Sequence, residues 1–344
     1  MSMPPVTEHH VRLINGKFFS APAGIPLLDA AQAAGMNLEH SCRTGRCGSC
    51  KTQATQGSVR PLQSGVLTEG ERAQGWVLTC TDAASSDLQL HCGDVPLLAP
   101  SLVLPARIDQ LERLTPALLH VRLRLPPGSA LAWRGGQHVN IIGPGGLRRS
   151  YSLASVSRGD DRIDFFISRC EGGEMSSYWF SAAKINDLLR IDGPRGSFSM
   201  HDFAGRDLKF LATGSGIAPI KAMLEELAIG PLEQRPRSVE LFWGARYASD
   251  LFWQPAFPGL ALRYVPVVSR PASGGWVHFG HVQDVLLREQ PDLSNAQVYA
   301  CGSPAMIGSA RTRLADAGLE PRRFLADAFT ASHPLPQAHP EAHA

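Results

Sequence analysis

Four of the seven cysteines form a pattern that strongly limits how the chain around them can fold. Cys42, Cys47 and Cys50 stand on one short segment, and Cys80 follows much later. This C-x4-C-x2-C…C spacing is that of plant-type 2Fe-2S sites. Three ligands on a tight loop and a fourth from elsewhere can hold two irons. The spacing therefore predicts a 2Fe-2S cluster with these four cysteines as metal ligands.

Two other interpretations of the cysteines remain open. Four unrelated buried thiols would need no such spacing, and a tetrahedral zinc site fits poorly with the four-residue gap and the distant fourth cysteine. Gly45 and Gly48 favour the cluster, because a residue without Cβ lets the backbone amides turn toward the sulfurs. Cys92 and Cys170 have no partner by spacing, and we expect them to be ordinary buried thiols.

Length, charge balance and hydropathy limit the number of domains and the classes of binding partner. A chain of 344 residues with 44% hydrophobic residues suggests two or three domains. The 33 Lys and Arg nearly balance the 31 Asp and Glu, which argues against nucleic acid or an anionic membrane as a partner. No apolar run approaches the ~18 residues of a spanning helix, and the first ten residues lack an apolar core. We expect a cytoplasmic protein.

The patterns of strand, helix and turn residues along the sequence predict three domains. Residues 1–97 contain a hairpin around Asn15-Gly16, predicted as a type I′ turn, and a helix from Pro26 to Gly35. The Pro-rich segment Gly93–Arg107 is predicted to be an extended linker. Residues 98–203 show short strands typical of a small antiparallel barrel, and residues 204–330 alternate buried strands with helices, as in a parallel α/β domain. Residues 331–344 are predicted to be a disordered tail.

Two motifs in the middle domain could bind a flavin nucleotide. Arg149 and Tyr151 lie on the same face of a predicted strand, where Tyr offers a flat surface to a ring and Arg a partner for phosphate. A tyrosine that is simply packed is the alternative. The segment Gly172–Ser177 places a glycine turn before a helix, which favours either a pyrophosphate site or an ordinary helix cap.

Two further motifs follow buried strands of the last domain. Gly214, Gly216 and Pro219 join a strand to an apolar helix, the context in which a glycine-rich loop binds phosphate. Cys301 and Gly302 end another strand, where ligands of parallel sheets bind, although a purely structural strand end is the alternative.

In this order, the motifs resemble the ferredoxin-NADP reductase superfamily with an N-terminal plant-type ferredoxin domain. The chain is similar to reductase components of bacterial ring-hydroxylating oxygenases. It is also similar to the CDP-6-deoxy-glucoseen reductases, through Leu78–Cys80, Tyr264–Ser269, Tyr299–Ser303 and Phe324–Phe329. The resemblance implies a multidomain α+β and α/β fold, namely a β-grasp ferredoxin domain, an antiparallel β-barrel FAD domain and a parallel α/β nucleotide-binding domain.

The resemblance also implies which residues bind cofactors. FAD would be held at its ring by Arg149, Tyr151 and Ser152, and at its pyrophosphate by Gly173, Met175, Ser176 and Ser177. NAD(P)H would meet Gly214, Gly216 and Pro219, with Cys301 and Gly302 beside the nicotinamide. Residues that touch the reacting rings would be Tyr151, Ser152 and Cys301. Arg246, Ser269 and Arg270 lie where relatives read a 2′-phosphate, which favours NADPH, although surface arginines are the alternative.

The implied reaction is NAD(P)H-dependent electron transfer. Hydride passes to FAD, and electrons leave singly through the 2Fe-2S cluster to a protein acceptor. We expect the acceptor to be an oxygenase component, reached directly or through a separate ferredoxin, with a CDP-deoxysugar dehydrase as the alternative. A redox sensor without turnover and a reductase of free flavin or ferric iron also remain open. We expect a monomer.

Overall fold

The computed structural model describes residues 7–95, 99–270 and 278–329. It contains three large sheets that follow one another along the chain. The predicted boundary between residues 97 and 98 and the predicted tail 331–344 lie outside the described residues.

The first sheet is mixed and has the strand order β2-β1-β7-β3-β5. Only the central pair β1 and β7 is parallel among its described pairings, and α1 packs its buried Leu27 and Leu28 against the sheet. This is the predicted β-grasp arrangement. The elements are β1 Glu8–Leu13, β2 Phe18–Pro22, α1 Leu27–Ala33, β3 Lys51–Gln56, β4 Val59–Pro61, α2 Glu69–Ala73, β5 Trp76–Leu78, β6 Asp82–Ala84 and β7 Leu88–Leu90.

The first hairpin exists, but its predicted type I′ turn is wrong. Only Gly16 has a positive φ, of 83°, whereas a type I′ turn needs positive φ at Asn15 as well. Leu13 N donates to Lys17 O at 2.8 Å, so three residues close the loop. Asn-Gly suits this turn too, because glycine takes the left-handed position that ends a three-residue hairpin loop.

The second sheet is antiparallel and has the order β11-β10-β13-β8-β9-β12. It curls until its edge strands β11 and β12 come into contact, as expected for a small barrel. A short helix α3 and a π-helical turn, Tyr178–Ala182, pack against it. Its elements are β8 Leu102–Thr115, β9 Leu118–Arg124, β10 His138–Ile142, β11 Arg148–Ser152, β12 Arg162–Ser168, α3 Glu174–Ser177 and β13 Leu188–Arg195.

Part of the predicted linker is a strand. β8 begins at Leu102, and its side chains alternate between exposed Val103 and Pro105 and buried Ala106 and Ile108. Prolines obscured this alternation, yet Pro105 is tolerated because this part of β8 pairs only with β13, and its pairing with β9 begins at Arg107.

The third sheet is parallel and has the order β17-β16-β15-β14-β18-β19. Helices cover both faces: α4 packs with Phe210 and Tyr299, and α5 and α6 pack with Val298. The elements are β14 Asp207–Thr213, α4 Ile217–Ile229, β15 Ser238–Ala245, β16 Leu262–Val268, β17 His278–Phe279, α5 Val282–Glu289, β18 Ala296–Gly302, α6 Pro304–Asp316 and β19 Phe324–Ala328.

The strand order of this domain indicates at which edge of the sheet a ligand binds. The chain runs outward from β14 to β15 and β16, then returns to add β18 on the other side of β14. Ligands of open parallel sheets bind at the carboxyl ends of strands at such a reversal. Gly214 directly follows β14 and Gly302 ends β18, so both lie at the predicted nucleotide edge.

In the described part of the chain, no helix is long and apolar enough to cross a membrane.

Candidate active site

The four predicted cluster ligands lie as two pairs of thiols. Cys50 Sγ is 3.2 Å from Cys80 Sγ, and the backbone amides of Cys47 and Thr44 each point at Cys42 Sγ from 3.4 Å. The hydrogen bond from Cys47, aided by Thr44, lowers the pKa of Cys42 to about 4 although burial opposes it. The Cys50 hydrogen bond likewise lowers the pKa of Cys80. The same hydrogen bonds raise the pKa of the partner thiols, Cys47 and Cys50. Each pair therefore favours one thiolate, the form of cysteine that binds a metal, beside one thiol.

This pairing fits two irons better than one ion. Tetrahedral zinc would draw four ligands around a single point, whereas a 2Fe-2S cluster takes two cysteines on each iron.

The loop between the ligands depends on glycine. Gly45 and Gly48 both have φ of 71°, the left-handed region that favours glycine. A Cβ on Gly45 would also lie 3.0 Å from Thr81 Cγ2, and the Gly45 carbonyl accepts from Val66 N at 2.8 Å. The segment around Val66 therefore covers the loop closely.

The cluster loop is docked against both other domains. Ser49 Oγ donates to Ala326 O of β19 at 2.9 Å, and Cys47 packs in the core formed by β19 and α6. On the barrel side, Ser197 Oγ accepts from His40 N at 2.7 Å and donates to His40 O at 3.0 Å. The four thiols therefore lie at a junction of three domains.

The predicted flavin-ring residues follow one another on β11. Tyr151 is half-buried opposite Val139 of β10, and its hydroxyl accepts from Trp179 Nε1 at 3.0 Å. The two rings meet edge to face, with centroids 6.2 Å apart, and burial raises the pKa of Tyr151 to about 12. Ser152 is buried and Arg149 half-buried. Trp179 fixes the tyrosine, and the sequence reasoning missed it because it lies on a short irregular helix.

The predicted pyrophosphate segment forms the start of α3. Gly173 is its N-cap, and Ser176 Oγ accepts from Cys170 N at 2.9 Å, which closes the loop before the helix. Met175 is buried against Gly143, whereas Ser177 is exposed. The first-turn amides of α3 suit an anion. Cys170 is exposed, so the expectation that it is buried is wrong.

The nucleotide loop and the end of β18 are packed tightly. A Cβ on Gly216 would lie 2.4 Å from Cys301 O, and one on Gly302, which has φ of 135°, would lie 2.1 Å from Thr213 Oγ1. Gly214 has φ of 54° and accepts from Trp243 Nε1 at 3.1 Å through its carbonyl. Only glycine allows these two strand ends to approach so closely. Pro219 lies in the first turn of α4, where proline is tolerated.

Cys301 is fully buried and lies opposite Asp327 of β19. Burial raises the pKa of the Cys301 thiol, and the charge of Asp327 raises it further. The thiol is therefore protonated, which suits a packing role and not a nucleophile. Burial also raises the pKa of Asp327 to about 6, although a hydrogen bond with Ser41 opposes this. Asp327 was not singled out from the sequence, although it lies in the Phe324–Phe329 motif.

The predicted 2′-phosphate residues lie beyond the ends of β15 and β16. Ser269 N donates to Ala245 O at 3.0 Å, and Arg270 N donates to Arg246 O at 3.1 Å. The Arg270 guanidinium lies 5.8 Å from the centre of the Tyr247 ring and donates to its hydroxyl at 3.4 Å. The structure thus brings Arg246, Ser269 and Arg270 together.

Three family models match successive parts of the chain. Residues 13–84 match a 2Fe-2S iron-sulfur cluster binding domain, residues 105–200 an oxidoreductase FAD-binding domain, and residues 210–312 an oxidoreductase NAD-binding domain. These matches confirm the predicted fold class and the three predicted cofactors, 2Fe-2S, FAD and NAD(P)H.

Similar proteins cover nearly the whole chain. The CDP-6-deoxy-L-threo-D-glycero-4-hexulose-3-dehydrase reductase of Yersinia pestis is 36% identical over 92% of this chain and 97% of its own length. Reductase component 2 of the terephthalate 1,2-dioxygenase of Comamonas sp is 32% identical over 90% and 94%. The crystal structure of the Amycolatopsis cytochrome P450 reductase GcoB, 26% identical, covers 94% of this chain and all of its own with a TM-score of 0.70.

The domain order, the thiol pairs and the glycine-rich strand ends agree with these similarities. The chain therefore belongs to the iron–sulfur flavoprotein reductases, NAD(P)H-dependent oxidoreductases whose members include reductase components of oxygenases and CDP-deoxysugar dehydrase reductases.

Proposed function

We propose that this reductase takes hydride from NAD(P)H at the edge formed by β14 and β18 and delivers single electrons to a protein acceptor through the cluster. The observation that carries the proposal is the position of the cluster loop. Ser49 contacts β19, the strand beside the one that carries Cys301, and His40 is hydrogen-bonded to Ser197 of the barrel. The cluster loop therefore contacts both the nucleotide domain and the flavin domain. Such proximity favours electron transfer within one chain.

In this proposal the protein orients its cofactors. Tyr151, fixed by Trp179, forms one wall of the flavin site, and Ser152 lies beside the ring. Arg149 also lies at the ring, and the start of α3, Gly173 to Ser177, binds the pyrophosphate. FAD, when bound, accepts hydride and releases electrons one at a time.

On the nucleotide side, Gly214, Gly216 and Pro219 hold the phosphates, while Cys301 and Gly302 shape the nicotinamide pocket. Arg246, Ser269 and Arg270 form a cationic pocket for a 2′-phosphate, which favours NADPH. Cys42, Cys47, Cys50 and Cys80 hold the cluster. The corresponding domains are residues 1–97, 98–203 and 204–330.

The acceptor belongs to one of two classes. Identity is higher to dehydrase reductases, at 36%, than to the oxygenase reductase components, at 28–32%, which favours a CDP-6-deoxy-hexulose dehydrase. An oxygenase component is the second candidate, supported by the whole-length match to such reductases. Both would receive electrons from the cluster and not from the flavin.

A cluster-deficient variant tests this route. Cys80→Ser should keep its FAD and its NADPH-dependent reduction of ferricyanide, which takes electrons from flavin, but lose electron delivery to a purified dehydrase or oxygenase. The matched control Cys92→Ser alters a thiol outside the cluster and should retain both activities. Delivery to the acceptor at the wild-type rate by Cys80→Ser, with no cluster signal in EPR, would refute the route.

A further inference from the structure

One helix contacts both the nucleotide loop and the flavin domain. α4 begins at Ile217, directly after the loop Gly214–Gly216, and then runs along the barrel. Two neighbouring carboxylates, Glu225 and Glu226, lie in its third turn, about 12 Å along the helix axis from its first residue at 1.5 Å per residue. Each carboxylate holds a different loop of the barrel.

Glu226 holds the loop that leads into β10. Its Oε2 accepts from Gly135 N at 2.8 Å, and its Oε1 pairs with Arg134 Nε at 2.5 Å. β10 begins three residues later, at His138. Glycine is required at position 135, because a Cβ there would lie 2.7 Å from Met223 N, a backbone atom of α4. The loop therefore lies with its backbone directly against the helix.

Glu225 holds the loop that follows β11. Its Oε2 accepts from Val156 N at 3.1 Å, and its Oε1 accepts from Arg158 Nη2 at 2.8 Å. Lys221, one turn earlier on α4, donates to Ala154 O at 2.8 Å and also to Glu225. These contacts begin two residues after the end of β11, the strand of the predicted flavin-ring residues.

The two barrel loops are joined to each other. Trp133 Nε1 donates to Ser155 O at 2.7 Å, and Leu153 N donates to Gln137 O at 3.0 Å. The two carboxylates of α4 are largely shielded from water, with side chains only 12% and 23% exposed. Hydrogen bonds to a shielded charge are stronger than those of exposed ion pairs. The helix is therefore held at two points on one connected part of the barrel.

We propose that Glu225 and Glu226 are positioning residues for hydride transfer. They hold α4, and with it the nucleotide loop at its start, at a fixed distance from β11. This rests on the proposed function, which places the nucleotide at that loop and the flavin ring at β11. Hydride transfer depends steeply on the distance and alignment of donor and acceptor, so a displacement of about 1 Å can slow it roughly a hundredfold. Neither glutamate belongs to the flavin or nucleotide motifs of the sequence.

The first test is stopped-flow reduction of the flavin in the FAD-loaded full chain at saturating NADPH. Glu225→Ala and Glu226→Ala should each lower the limiting rate constant roughly tenfold or more. The Kd for NADP⁺, measured by isothermal titration, should stay at its wild-type value, because the nucleotide loop itself is unchanged. Glu226→Gln keeps an oxygen for Gly135 N but loses the charge that pairs with Arg134, so its rate should lie between those of wild type and Glu226→Ala.

The second test measures the contacts themselves without any turnover. Hydrogen exchange, followed by mass spectrometry on the FAD-loaded protein without nucleotide, reports the amides that the carboxylates hold. Glu226→Ala should speed exchange in residues 133–137, which contain Gly135. Glu225→Ala should speed exchange in residues 153–158, which contain Val156. Exchange at the wild-type rate in both loops would contradict the proposed contacts.

A matched control removes a glutamate just beyond the helix. Glu233→Ala, in the exposed turn Leu232–Gln234, should change neither the limiting rate nor the exchange. If an alanine variant does not retain FAD, Glu225→Gln or Glu226→Gln provides the same test with a side chain of native size. Wild-type limiting rates in the variants of both residues would overturn the proposal, as would a loss of rate at low NADPH alone. If neither nucleotide reduces the wild-type flavin, the proposed function fails instead.

Discussion

Asp327 lies directly opposite Cys301 in the parallel register of β19 and β18. The same carboxyl is hydrogen-bonded to Ser41, the residue before the cluster ligand Cys42. A single pair of strands therefore connects the predicted nicotinamide pocket with the cluster loop.

Cys301→Ala should slow hydride transfer by about tenfold or more, because a pocket that positions the nicotinamide less well lowers the fraction of productive complexes. The measurement is stopped-flow bleaching of the flavin by NADPH. Optical spectra of FAD and of the cluster should stay unchanged. Loss of both spectra would show that Cys301 supports the fold and not the pocket.

Gly216→Ala should weaken nucleotide binding by at least tenfold. A Cβ there would lie 2.4 Å from Cys301 O, a backbone atom that cannot move without shifting the end of β18. The readout is the Kd for NADP⁺ by isothermal titration. Gly308→Ala is the control, because no atom lies within 4 Å of its added Cβ on α6. Equal affinity in both variants would refute the close-packed loop.

Asp164 links stability to pH in the barrel. Burial alone would raise its pKa, but hydrogen bonds and charges of His120 and Arg122, at 3.0 and 2.8 Å, outweigh burial and hold the pKa below its ordinary value of 3.8. The ionised form therefore stabilises the fold above about pH 4, and this contribution is lost as pH falls through the lowered pKa.

Asp164→Asn should accordingly cost about 2 kcal/mol at pH 7, and lower the Tm of flavin release by roughly 8–16 °C. The difference from wild type should shrink below pH 4. Glu112→Gln, which removes an exposed carboxylate 3.8 Å from His120, should change Tm little. A difference that grows on acidification would contradict the sign of the pKa shift.

Arg270→Ala should raise the KM for NADPH about tenfold and that for NADH little. The guanidinium is held at Tyr247, in the pocket proposed for the 2′-phosphate, a group that NADH lacks. The measurement is the KM for NADPH and for NADH, from steady-state kinetics of the wild type and the variant. If the wild type shows no preference for NADPH, and the variant shows none either, the phosphate pocket is wrongly placed.

Local patterns in the sequence were enough to predict the parallel domain. Its strands are continuous apolar segments, and the glycines at the ends of β14 and β18 mark where the chain must turn. The prolines before β8 hid a strand, and Asn15-Gly16 fits two kinds of hairpin turn. In both cases the local sequence allowed two conformations, linker or strand before β8 and two turn types at Asn15-Gly16, and tertiary structure determines which one forms.

Residues between domains could not be predicted in this way. Asp327 acquires its position beside the cluster loop from its hydrogen bond with Ser41, a residue that is far away in sequence and brought close only by domain packing. Trp179 fixes Tyr151 from a π-helical turn that has no simple periodicity. Such residues follow from tertiary structure, because no local spacing encodes which surfaces of separate domains meet.

The most direct test of the account is an anaerobic titration of the purified protein with NADPH and then NADH, with flavin bleaching followed optically and the cluster by EPR. The flavin should bleach, and a reduced 2Fe-2S signal should appear with it. If neither nucleotide reduces the flavin, electron transfer from NAD(P)H to the cluster is refuted, and the chain would be a redox sensor.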